Sequence, residues 1–348
     1  MDSIIFFSEK ELNTILRRRS GECKLGETVI IPNENDSILK QLKNKSVKFV
    51  LLGIPEDIGV RANYGRGGAH TCWQPALESI LNIQDNSFLL GKNILVLGRV
   101  ETDDLMSQAK DLQAKNEKDI GKLRKLVETI DERVSGIVQR IAEAGKIPIV
   151  IGGGHNNSYP ILKGMFRGIN KEKGLNAINC DAHTDFRDTE GRHSGNGFTY
   201  AYKENFLNRY ACIGIHESYN AENTLKKFKE NSERLNFCTY EDIFIREKLS
   251  FANAIKNGIE FCKDSITGIE IDLDSITNVP SSARTSSGIS PVQARQFIHA
   301  CAHQCKVAYL HIAEGAPVLA HIKADNKTGK LIAYLVADFI KAQSERKS

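Results

Sequence analysis

Two short stretches of the chain set carboxylates and imidazoles in alternation. Asp181, His183 and Asp185 take every second position of DAHTDFR, and Asp272 and Asp274 do the same in EIDLD. On extended chain, alternate side chains share a face, so each stretch presents its charged groups together. His155 closes the run Gly152-Gly153-Gly154-His155, and Glu314 follows a further apolar run in HIAEGAP. Four carboxylates crowded at one place repel one another and resist ionisation. Two divalent cations bridged by shared carboxylates would remove that repulsion and activate water near neutral pH. An oxygen-rich shell with only two imidazoles and no thiolate favours Mn2+ over zinc. A lone Asp-x-Asp is more often a cap or a solvated turn; the combination of strand ends is much more specific than any one of them.

Each of these residues lies at or just past the end of a short apolar run. The runs cover 49–53, 94–97, 147–151, 175–180, 210–215, 236–239, 266–273 and 307–312. They are apolar at most positions without strict alternation, as in strands of a parallel sheet covered on both faces. Between them lie helix patterns. The clearest is 118–144, where Ile120, Leu123, Val127, Ile130, Val134, Ile137, Val138 and Ile141 recur every three or four positions and Gly145 offers a stop. Weaker patterns cover 156–166, 251–263, 291–303 and 331–342. This alternation predicts one α/β catalytic domain over 47–348, with 1–46 as an N-terminal extension packed on it. In such a sheet, ligands bind beyond the carboxyl ends of the strands, which is where the acidic residues fall.

Composition narrows the field. The chain has 348 residues, 47 Lys+Arg against 43 Asp+Glu, and a formal charge of +4 without a long basic stripe. This argues against a nucleic-acid partner. The start, MDSIIFFSEKEL, lacks the basic opening and long apolar segment of an export signal, and no run is apolar enough to span a membrane. Eight scattered cysteines without a CxxC pair read as reduced core thiols of a cytoplasmic protein. The glycine loops leave a nucleotide-dependent enzyme as a rival, although Gly152–Gly154 is not followed by GK[ST] and Gly65-Arg66-Gly67-Gly68 is not GxGxxG.

The order and spacing of GGGH, DAHTDFR, EIDLD and IAEGAP resemble the ureohydrolases, that is arginase, agmatinase and formimidoylglutamase, over roughly residues 48–343. The resemblance implies a single three-layer α/β domain with an eight-stranded parallel sheet flanked by helices, two Mn2+ per chain and a homo-oligomer. It implies that His155, Asp181, Asp185 and Asp272 hold one ion. His183, Asp181, Asp272 and Asp274 would hold the other. Glu314 matches the carboxylate that grips the guanidinium or amidine of a small-molecule substrate, and Asp185 is placed to carry a proton. A degenerate homologue that binds metal or ligand without catalysis is the rival from another class; all six ligand positions are filled, which argues against it.

Three departures bear on the substrate. Arginases and agmatinases usually carry Asp where Gly154 stands, and GGGH is similar to the formimidoylglutamases. Arginases place a shuttle histidine two residues after Ser-Gly-Asn. Here Ser194-Gly195-Asn196 is followed by Gly197 and Phe198, leaving His193 as the candidate catalytic histidine, against the alternative of a solvated loop residue. Glu270 stands where the family often has Ser. The segment 185–201 brings Ser194, Asn196, Arg187 and Arg192 forward as substrate-binding candidates, with Arg284 near by. Arginine suits bidentate capture of carboxylates, and formimidoylglutamate has two, whereas the cationic tail of agmatine would be repelled. The expectation is hydrolysis of N-formimidoyl-L-glutamate to L-glutamate and formamide, with arginase or another guanidino-acid hydrolase as the alternative. Asn63 is read as pocket rim and His216 as lining at best. His70 and Trp73 are read as capping and packing a helix, and the i,i+4 pair His299 and His303 as a plain helix face.

Overall fold

The computed structural model describes residues 3–170, 172–320 and 326–346. Its centre is a sheet of nine strands: β1 (Ile4–Phe6), β2 (Phe49–Gly53), β3 (Ile94–Val100), β4 (Ile147–Ile151), β5 (Leu175–Cys180), β6 (Leu207–Ile215), β7 (Leu235–Thr239), β8 (Thr267–Asp272) and β9 (Val307–Ala313). They lie in the order β1-β3-β2-β4-β9-β8-β5-β6-β7. β2 to β9 are the eight parallel strands expected; the ninth, β1, runs antiparallel along the β3 edge and pairs Ile4 with Val100 and Phe6 with Gly98. Gly98 makes that pairing sterically possible, because a Cβ there would lie 2.1 Å from the Ile5 carbonyl oxygen.

Helices cover both faces, which is why the strands are apolar on both sides. On one face Phe49, Leu51, Ile149, Ile151, Ile269 and Ile271 pack with the helices Trp73–Leu81, Pro291–Gln304 and Lys327–Glu345. On the other, Val50, Leu52 and Val150 meet the helices Glu117–Glu143 and Ser158–Ile169. Glu117–Glu143 starts on an Asn116 cap, buries all eight apolar positions named above, and is followed by Gly145 at φ 67°. Residues before β2 join the same body: Leu12 and Ile15 pack on one face, Ile38 and Leu42 on the other. No helix among the described residues is long and apolar enough to cross a membrane. All eight cysteines are free.

The four strands whose ends carry His155 and the acidic residues, β4, β9, β8 and β5, are neighbours at the middle of the sheet. Chain order scatters them; sheet order gathers them.

Candidate metal centre

β4 ends in Gly152 (φ 92°) and Gly153 (φ 72°), a left-handed turn that glycine adopts without strain. The turn delivers His155 into the interior, fully buried. Its Nδ1 lies 3.2 Å from Asp181 Oδ2, 3.0 Å from Asp185 Oδ2 and 3.2 Å from Asp272 Oδ2. His183 Nδ1 lies 3.2 Å from Asp274 Oδ2 and 3.6 Å from Asp181 Oδ1. Two groups of ligand atoms result, each within 4.8 Å: His155, Asp181, Asp185 and Asp272, and Asp181, His183 and Asp274. Asp181 belongs to both, whereas Asp272, expected in both, falls in the first alone. Asp181 Oδ1 also accepts from the His183 amide at 2.7 Å and its Oδ2 from Asn179 at 3.0 Å.

Among the protein groups alone, the charges are in conflict. Burial, with Asp274 and Asp181 adding, raises Asp272 well above the ordinary carboxylate range. Burial and then Asp181 raise Asp185. Burial, reinforced by Asp274, pushes Glu314 up to about 8. Burial also acts to raise Asp181, but the His155 and His183 rings beside it outweigh this and hold it down. Two buried atoms aimed into the groups, His155 Nδ1 and Asp274 Oδ1, have no hydrogen-bond partner. Orphaned donors and acceptors of this kind are rare. Divalent cations in the two groups would satisfy both atoms and offset the repulsion, so these residues fit the ions that the sequence implies.

The site opens into a cavity of about 700 Å³ lined by Asp185, Arg187, Ser194, Asn63, Ser282 and Glu314, among others. Glu314 is held at both oxygens: Oε1 accepts from the His155 amide at 3.0 Å and Oε2 from the Ser282 hydroxyl at 3.2 Å. Asp185 and Glu314 both have left-handed backbone, φ 46° and 63°. Such conformations cost a non-glycine residue ~1–3 kcal/mol and cluster at functional positions. Gly154 also acquires a physical reason. A Cβ there would come 2.5 Å from Asn156 Oδ1 and 3.3 Å from Glu314 Oε1, so a carboxylate at this position would press on Glu314.

The loop after β5 divides the expected substrate contacts. Arg187 lines the cavity and donates to Asn63 Oδ1 at 3.3 Å, while Asn63 Nδ2 reaches Ser194 Oγ at 3.3 Å. The acidic neighbours of Arg187 have other partners: Asp188 meets Lys227 at 2.5 Å, and Glu190 meets His193 at 3.0 Å and Arg124 at 3.5 Å. Arg192, His193 and Asn196 do not line the cavity. Arg192 is buried on Asp131 at 2.8 Å, on Asn196 Oδ1 at 2.7 Å and over the Tyr159 and Tyr200 rings. Asn196 also donates to the carbonyls of Asp188 and Gly191. His193 accepts from the Gly195 amide with Nδ1, and burial pushes its pKa down to about 4. Arg192 ties the loop to the long helix, while Asn196 and His193 brace the loop on itself.

Other candidates fall elsewhere. His70 pairs with Asp57 at 2.6 Å, and Trp73 packs beneath Gly53, where a Cβ would lie 2.3 Å from the ring. His216 stacks on Tyr240 and meets the Tyr219 ring at a tilt. Arg284 lines a separate depression with Lys330 and Tyr334. His299 and His303 stack on each other on an exposed helix face. Sequence reading missed Glu56. It is fully buried and accepts from the Gly154 amide at 2.9 Å and Asn157 Nδ2 at 2.7 Å, fixing the glycine turn. It also missed Tyr219, whose ring stacks on His183 at 5.6 Å.

Comparison with known proteins agrees with this geometry. The arginase family model matches residues 48–341. The formimidoylglutamase of Streptococcus gordonii is 28% identical over 320 residues, covering 90% of this chain and 89% of that one. That of Streptococcus pyogenes serotype M3 is 27% identical over 327 residues, with the same coverage. In solved structures the fold is shared with the formimidoylglutamase of Bacillus subtilis (TM-score 0.73, 18% identity, 94% of each chain). It is shared as well with the formiminoglutamase of Trypanosoma cruzi with Mn2+ (TM-score 0.69, 20% identity, 94% of this chain and 100% of that one).

Proposed function

The chain belongs to the arginase family, and within it we propose a formimidoylglutamase holding two Mn2+. N-formimidoyl-L-glutamate and water would give L-glutamate and formamide. The observation that carries this reading is the convergence of His155, Asp181, His183, Asp185, Asp272 and Asp274 in two adjoining groups. When bound, the cations would supply Lewis-acid activation of water and offset charge in the transition state.

The chain's own groups do the rest. Glu314, fixed by the His155 amide and Ser282, accepts charge-assisted hydrogen bonds from the amidine and aligns its carbon. Asp185 takes the proton of the attacking water and returns it to the nitrogen that leaves with glutamate. Arg187, steadied by Asn63, meets a substrate carboxylate at the mouth, with Ser194 beside it. A cationic tail such as that of agmatine would be repelled there. The reading places the enzyme in the cytoplasm as a homo-oligomer, to be checked by fractionation and sedimentation.

The deciding experiment assays formimidoylglutamate, arginine, agmatine and guanidinobutyrate side by side with Mn2+, following formamide or urea. Formamide release from the first with the highest kcat/KM is expected. Urea from arginine at a higher kcat/KM would overturn the substrate. No turnover of any of the four, with less than about one Mn2+ retained per chain, would mark a binding homologue.

A further inference from the structure

The far side of His155 has its own machinery. His155 Nε2 lies 3.3 Å from Glu270 Oε2, and the same oxygen lies 2.7 Å from His311 Nδ1. The other carboxylate oxygen accepts from the Tyr309 hydroxyl at 2.7 Å. All four side chains are fully buried. Glu270 and His311 are register partners on β8 and β9, and Tyr309 pairs with Gly268. The ring of Tyr309 occupies the space over Gly268, where a Cβ would lie 2.3 Å from it. Glycine there clears the path of the hydroxyl to Glu270.

Tyr309 donates to one oxygen of Glu270, and the other faces the His155 and His311 rings as an acceptor. This geometry matches a proton on Nε2 of His155, with the Nδ1 lone pair facing Asp181, Asp185 and Asp272. We infer that Glu270 is the positioning residue of the inner ion site, setting the tautomer and tilt of His155, with Tyr309 and His311 holding Glu270 in turn. A carboxylate behind a ligating imidazole also makes the imidazole a stronger donor. This rests on the metal reading proposed above and extends it to residues behind the ligands.

The test titrates demetallated wild-type, Glu270→Gln, Glu270→Leu and Tyr309→Phe protein with Mn2+, reading free ion by electron paramagnetic resonance and the unfolding temperature before metal is added. Outer partners of metal ligands are worth ~10–100-fold in affinity. Glu270→Leu, which cannot accept the Nε2 proton, is expected to weaken one of the two ions by about 100-fold, and Glu270→Gln, which still can, by about 10-fold. Tyr309→Phe keeps Glu270 and should weaken that ion by a smaller factor, with the metal-free unfolding temperature close to wild type. Should Glu270→Leu fail to fold, Glu270→Gln and Tyr309→Phe carry the comparison. Wild-type affinity for both ions in every folded variant would overturn the inference while leaving the metal reading intact. A wild-type protein that takes up no Mn2+ would remove both.

Discussion

The two imidazoles of the site live in different surroundings. His155 is sealed in the interior, with carboxylates on both ring nitrogens and Phe198 and His311 edge-on to its ring. His183 keeps 27% of its side chain exposed and is held by stacking on Tyr219, itself half exposed. The inner wall is fixed by hydrogen bonds that exist once the sheet has formed. The outer wall is fixed by aromatic contact and opens on the cavity. The same chemistry is thus assembled by two strategies, one rigid and dry, the other reachable by a small molecule.

The comparison can be broken most severely at Asp185, which touches His155 and also lines the cavity. Asp185→Asn should keep the unfolding temperature and lower kcat by about 1000-fold, in the range of a lost proton carrier. A wild-type rate would remove it from the chemistry. Next comes Glu314, whose loss of charge should cost the amidine about 2–3 kcal/mol. Glu314→Gln is expected to lower kcat/KM by about 100-fold, and an unchanged value would mean that it does not contact substrate. On the outer wall, Arg187→Ala should raise KM by about 10-fold with a smaller change in kcat, the pattern of lost uniform binding. A fall in kcat at constant KM would contradict its place at the mouth. The smallest effect is expected at His193, which faces Glu190 and Gly195. Turnover of His193→Ala should stay within about twofold of wild type, and the two kcat–pH profiles should coincide near pH 6–7. A large loss would restore this histidine as a shuttle.

The strands and the acidic cluster were legible because both depend on local rules: apolar runs buried on two faces, and alternate residues sharing a side. What escaped the sequence depends on partners far along the chain. β1 is three residues long, and its pairing requires Gly98. Arg192, His193 and Asn196 sit in a loop without periodicity, so nothing local distinguishes a side chain that faces ligand from one that anchors the loop on Asp131. The role of Glu270 stayed open in the sequence because Tyr309 and His311 become its neighbours only when β9 lies beside β8.

That placement of β9 has a further consequence. It is the last strand among the described residues, yet it fills the gap between β4 and β8. During synthesis, β4 and β8 emerge first and offer two unpaired edges that only residues 307–313 can close. Long-range parallel pairing is slow, and open edges invite association with other chains. A chain truncated before Val307 would keep all six of His155, Asp181, His183, Asp185, Asp272 and Asp274, but it would have a cleft in its sheet where β9 should stand and no Glu314. Aggregation, not partial activity, is its expected fate.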